Sequence, residues 1–254
     1  MIDMGASVVQ NQISSHPKCR NCGEKKTIRA HIVPAWFGRE LLRSGKSFVE
    51  LRPKSAKSKQ TGLFDKEILC GVCDKKLGVY DEYAATVFKR FPSHAIIRNG
   101  QFRLDNVDCD KLVSFVASVL WRASISKHEQ CKDVNLDSWE DKLRKVIFNE
   151  APLASIPQFQ VLMIRYTSHI TDPANIYSLP VRATGMDVNC YGMALKGFRI
   201  LAKVDANPFS DDFTQIVING KTYLYGIDQL FEKTTEFNRL IEMMRSAGVW
   251  SSAI

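Results

Sequence analysis

The chain has 254 residues, 45% of them hydrophobic and 24% charged, with 35 Lys and Arg against 27 Asp and Glu for a formal charge of +8. That composition is ordinary for a soluble globular protein; no run of about 18 apolar residues occurs, and the first 16 residues lack the basic start and apolar middle of a signal peptide, so a membrane-spanning or secreted class is not expected. The length suffices for a small metal domain plus one or two ordinary domains. Of seven cysteines, four form CxxC pairs and Cys109, Cys131 and Cys190 are scattered, which suits partly buried thiols in a reducing, cytoplasmic compartment better than a disulfide framework.

Residues 1–17 are polar and aperiodic and read as a loose tail. Cys19 and Cys22 make the first CxxC pair, and Gly23 permits the tight turn such a pair requires. Residues 27–33 read as a short strand ending near His31, with Pro34 as its exit. Residues 35–43, with Trp36, Phe37, Leu41 and Leu42, read as a short amphipathic helix. Arg39, Arg43, Lys46, Arg52, Lys54, Lys57 and Lys59 are then set against only Glu40 and Glu50, in a Ser-rich segment that reads as a mobile basic loop. Such a loop is either a solvated surface or a phosphate-contacting one, and Arg52, Lys54, Lys57 and Lys59 are its candidate nucleic-acid contacts. Residues 63–69 read as a second strand delivering the second pair, Cys70 and Cys73. From Asp74 onward, Leu77, Tyr80, Tyr83, Ala84, Val87 and Phe88 recur at helical spacing until Phe91-Pro92.

Farther along, Leu112, Phe115, Val116, Val119, Leu120 and Ala123 form one apolar face, so residues 109–126 read as a helix with Trp121 in the core and Arg122 in a salt bridge. Residues 137–148 read as another helix, with Asp137 and Glu140 spaced as a variant capping box. After Pro152 the texture changes to short β-rich runs at 159–166, 176–183, 191–195, 198–204, 215–218 and 222–225, with Lys196-Gly197 and Asn219-Gly220 as hairpin turns. A final helix over 227–247 is stopped by Gly248. His94, His128 and His169 sit alone and read as surface or satisfied core residues. The expected division is a tail (1–17), a zinc module (18–92), a helical segment (93–150) and an α+β domain (151–254) with an antiparallel sheet, to which a partner protein or ligand could bind.

Four thiolates in two CxxC knuckles can close a tetrahedral zinc site, which is structural because no position is left for water or substrate. Any chemistry then falls to His31 and to the carboxylates after the second knuckle, Asp74, Asp81 and Glu82. These are hard oxygen ligands suited to Mg²⁺ or Mn²⁺. A histidine titrates near neutrality and can activate water, while a cation can offset the charge that builds on a phosphate during hydrolysis. Other roles for these residues are a packed strand histidine or a replacement zinc ligand for His31, and a helix N-cap for Asp74.

Together, Ala30-His31-Ile32-Val33-Pro34 between two CxxC pairs, in the order strand, long loop, strand, helix, resembles the HNH (ββα-metal, or His-Me finger) endonucleases of the zinc-knuckle type over roughly residues 18–92. The resemblance implies an N-terminal ββα module, metal-dependent hydrolysis of DNA, His31 as general base, and Asp74 where the family binds its catalytic metal. It also implies a context such as phage defence. Ser118-Val119-Leu120-Trp121-Arg122 resembles uncharacterised bacterial HNH-like proteins. The chain departs from the family at Ala30 and Gly78, where many members place metal ligands, and in having no Asn between His31 and Cys70, although Gln60 could stand in for it. Asp74 and Asp81 lie two helical turns apart, about 10 Å along the axis, too far to share one ion on a regular helix. A module that kept this fold and lost catalysis, binding DNA or protein instead, is the competing expectation.

Overall fold

The computed structural model describes residues 17–43, 48–52, 55–59, 62–183 and 187–248. Among them the chain is mixed α+β, with six helices and a seven-stranded sheet. Strand β1 (Ala30–His31) leads through Pro34 into helix α1 (Ala35–Arg43). Strands β2 (Phe48–Arg52) and β3 (Ser55–Lys59) follow, then β4 (Phe64–Asp65), which pairs antiparallel with β1 so that His31 lies opposite Phe64. Thr27 also bridges Cys70, which ties the first knuckle to the second.

The basic stretch expected to be a loop is therefore an antiparallel hairpin, with Glu50 opposite Lys57 and Phe48 opposite Lys59. Phe48, Val49 and Leu51 carry enough β propensity to order a segment whose lysines and serines alone would not. Lys54 and Gln60 lie outside the described residues. The same is true of the side-chain surroundings of Arg52, Lys57 and Lys59.

Helix α2 (Gly71–His94) starts earlier and ends later than its apolar spacing predicts. It takes in the second CxxC pair, its N-cap is Cys70, and Asp74 occupies the first turn without capping anything. Pro92 sits in the last turn, where its missing N–H costs the helix the bond an ordinary residue would make to the Phe88 carbonyl and the helix ends two residues on. Phe88 and Phe91 hold that turn in place, because their rings pack on Phe198 at 5.6 and 4.8 Å and Phe91 also meets Phe102 at 5.3 Å.

Strands β5 (Ile96–Arg98) and β6 (Gln101–Asp105) form a hairpin inside the segment expected to be helical. Its turn is Asn99-Gly100, both at positive φ, the conformation a two-residue turn demands. Helices α3 (Cys109–Ile125) and α4 (Trp139–Ile147) follow. No capping box forms at α4, since Asp137 is left-handed at φ 46° and Ser138 is the N-cap. Next come β7 (Gln160–Thr167), β8 (Val181–Arg182), β9 (Cys190–Leu195), β10 (Phe198–Lys203), α5 (Asp211–Thr214), β11 (Tyr223–Leu230) and α6 (Thr235–Ser246).

The sheet order is β5-β6-β11-β7-β10-β9-β8, antiparallel except where β11 runs parallel to β7. Residues 227–230 are thus strand and not the start of the last helix, because β11 is central and its backbone is consumed by β6 and β7. Asn219-Gly220 does not turn a hairpin. The Asn219 side chain instead accepts from Val161 N and donates to Phe159 O, while Val217 bridges Leu162. One hydrophobic cluster runs from Cys19 through α2, α3 and α4 onto one face of the sheet, and α6 covers part of the other, so the sheet crosses the boundary expected at residue 150. Burial on both faces explains why β9 carries no charged residue and β10 only Arg199 and Lys203. No helix among the described residues is long and apolar enough to cross a membrane.

Candidate functional site

The sulfur atoms of Cys19, Cys22, Cys70 and Cys73 all lie within 4.8 Å of one another, with Cys22 and Cys70 at 3.7 Å. A disulfide needs about 2.05 Å, whereas four sulfurs at about 2.3 Å from a central ion stand about 3.8 Å apart. The donor set fits a structural metal of the zinc class. Cys19, Cys70 and Cys73 are buried and Cys22 is exposed. Burial works to raise the Cys19 thiol, but backbone N–H groups of Cys22, Cys70 and Asn21 reverse it and bring it to about 7. Burial pushes Cys73 up to about 12, against the pull of the Asn21 amide. A cation among these sulfurs displaces the protons they hold, so its affinity rises with pH. The three scattered cysteines are buried thiols, and burial pushes Cys109 up to about 12 and Cys131 and Cys190 up to about 11.

His31 is half-buried on β1, its ring meeting Phe64 edge-on at 6.3 Å, with the Arg29 guanidinium 3.5 Å from the same Phe64 centroid. Burial lowers its pKa, and Arg29, Arg122 and Arg39 lower it further against the opposing Asp81 carboxylate. Its imidazole is therefore neutral at pH 7 and can accept a proton. Burial raises the Asp74 carboxyl, with Arg122 opposing and Asp81 adding to the shift.

Asp81 is committed elsewhere. Arg122 Nη1 donates to Asp81 Oδ2 at 3.0 Å and Nη2 to Oδ1 at 2.7 Å, and the same Nη1 donates to the His31 carbonyl at 3.0 Å. Glu82 is exposed. Among the described residues no group of three His, Cys, Asp or Glu side chains other than the cysteine cluster is close enough to hold a metal, and no hydrogen bond reaches the Asp74 carboxylate. Of the three carboxylates expected to hold a catalytic ion, Asp81 is engaged by Arg122, Glu82 is exposed and Asp74 is half-buried, and they do not come together as a metal-binding group among the described residues. Ala30, opposite Asp65, is fully buried and offers no ligand.

Arg122 was expected to form a salt bridge, but its partner and its bond to His31 had no sequence signal. The contact of the Asn21 amide with Cys73, and that of Arg144 with Asn21, had no sequence signal beyond position. An amide inside a CxxC loop was the one available cue to Asn21. The chain matches no known family pattern, no curated protein and no solved structure.

Proposed function

We propose that the chain is a metal-dependent endonuclease of the HNH type, acting on DNA phosphodiester bonds, with His31 as general base. The observation that carries this is the placement of His31. It stands on the first of two paired strands that precede a helix, held neutral at pH 7, and the exposed Arg29 and Arg39, whose charges act on it, would attract a phosphate. A divalent ion of the Mg²⁺ or Mn²⁺ class would offset charge on the phosphate, and Asp74 would hold it together with water and substrate oxygens, as such ions commonly require of one or two carboxylates. The four cysteines would hold zinc and fix the first knuckle to the start of α2, and the net charge of +8 suits a polyanionic substrate.

A second reading is a zinc-stabilised DNA- or protein-binding module without catalysis. The two-pronged hold of Arg122 on Asp81 favours it, together with the buried Ala30 and with Gly78 in α2. Purified protein on supercoiled plasmid with Mg²⁺, Mn²⁺ or chelator separates the two. Nicking that needs the ion and disappears in His31→Ala, with zinc content and DNA affinity retained, supports the nuclease. DNA retardation without cleavage under every ion supports the binding module.

A further inference from the structure

Asn21 lies inside the first CxxC loop and uses both ends of its amide. Nδ2 donates to Cys73 Sγ at 3.2 Å, and Oδ1 accepts from Arg144 Nη1 at 3.0 Å. Arg144 belongs to α4, 123 positions away in sequence, and is braced by Glu150 at 2.7 Å and Asp141 at 3.1 Å. A guanidinium on the amide oxygen polarises the group and makes its N–H a stronger donor. An N–H aimed at a metal-bound sulfur fixes the direction of its lone pairs and offsets part of its charge. Four thiolates around a divalent cation carry a surplus of negative charge, and a cation relayed through Asn21 offsets part of it.

We propose that Asn21 and Arg144 are positioning residues of the metal centre: they orient and strengthen the Cys73 ligand and couple metal loading to the seating of α4. Three elements meet in this relay, namely the first knuckle through Asn21, the start of α2 through Cys73, and α4 through Arg144. Since α4 packs on α3, metal loading would stiffen the helical layer against the sheet. The relay requires that the four cysteines hold a metal and is independent of nuclease activity.

The test uses the full chain and Co²⁺ alone, followed by thiolate-to-cobalt absorption in competition with a chelator. Asn21→Asp keeps the acceptor for Arg144 and replaces the donor facing Cys73 with an acceptor, so cobalt affinity should fall about 10–100-fold. Asn21→Ala should fall similarly. Arg144→Gln should weaken binding several-fold in the wild-type background and leave Asn21→Ala unchanged, because the relay is already cut. Chelation should accelerate amide exchange in residues 139–147 of wild type but not of Asn21→Ala. Affinity of both Asn21 variants within twofold of wild type overturns the proposal, as does an equal Arg144→Gln penalty in both backgrounds. A wild type with no thiolate–cobalt absorption sinks the metal centre itself, a result distinct from variants that bind as well as wild type.

Discussion

Arg122 and Asp81 form a two-pronged ion pair, at 3.0 and 2.7 Å, in which the arginine side chain is 2% exposed and the aspartate 17%. The guanidinium also donates to the Ser118 carbonyl and hydroxyl and to the His31 carbonyl, so one side chain joins β1, α2 and α3. Removing one partner strands the other as a buried charge. Arg122→Met or Asp81→Leu alone should cost about 3–5 kcal/mol, while the double substitution should cost less than the sum. Arg122→Lys should not restore stability, since an ammonium cannot reproduce the fork. Urea unfolding of the four variants measures this, and strict additivity would rule out the coupling.

Metal removal tests the staple. Freshly purified protein should carry about one equivalent of zinc per chain, and Cys70→Ser should lose it, since binding by a structural zinc site is worth on the order of 10 kcal/mol. Chelation should lower the melting temperature and release the bridge between Thr27 and Cys70. Folded protein without zinc, melting identically with and without chelator, would contradict the site.

Two glycines make opposite predictions. A Cβ at Gly226, in the central strand β11, would lie 2.6 Å from Phe102 Cζ and closer still to the Met163 carbonyl oxygen. Neither the backbone nor a packed ring can yield cheaply, so Gly226→Ala should destabilise by about 1–3 kcal/mol. At Gly78, inside α2, a Cβ meets nothing within 4 Å. Gly78→Ala should stabilise by about 0.5–1 kcal/mol through helix propensity. A denaturant midpoint that does not fall for Gly226→Ala would refute the packing described around β11, and one that does not rise for Gly78→Ala would refute the open surface at that turn of α2.

These contrasts show which features a sequence can disclose. Helices α1 and α3 were legible because helical periodicity is local, and the cysteine cluster was legible because CxxC spacing encodes half of it. Residues 227–231 misled because Ile227, Leu230 and Phe231 have helical spacing, while a central strand is imposed by β6 and β7 from far away in the chain. The β5–β6 hairpin carried its signal in Asn99-Gly100, masked by the strongly helical segments on either side. Nothing local links Asp81 to Arg122, or Asn21 to Arg144, because those pairs exist only once the layers have packed.

The hairpin formed by β2 and β3 should carry the salt dependence of any DNA binding. Reversing Lys54, Lys57 and Lys59 to Glu should weaken duplex binding and flatten the log–log salt slope by about 0.9 for each phosphate that is no longer neutralised. A retained slope would remove these residues from the interface.

His31 makes the pH prediction, and its sign follows from the direction of its shift. Burial first, then Arg29, Arg122 and Arg39, hold its folded pKa below the ordinary value of 6.5. Above about pH 6.5 neither the folded nor the unfolded form carries the proton, and the residue costs nothing. As pH falls from about 6.5 toward the lower folded value, the unfolded chain binds the proton first, so stability is lost across that window. His31→Gln, which cannot titrate, should show a shallower loss than wild type between about pH 7.5 and 5.5, measured by urea unfolding of metal-loaded protein. Equal slopes would mean that His31 titrates normally. The same depression bears on catalysis: if His31 is the base, cleavage should be level through neutrality and fall only on the acid side of about pH 6.5, where the imidazole gains the proton it must be free to accept.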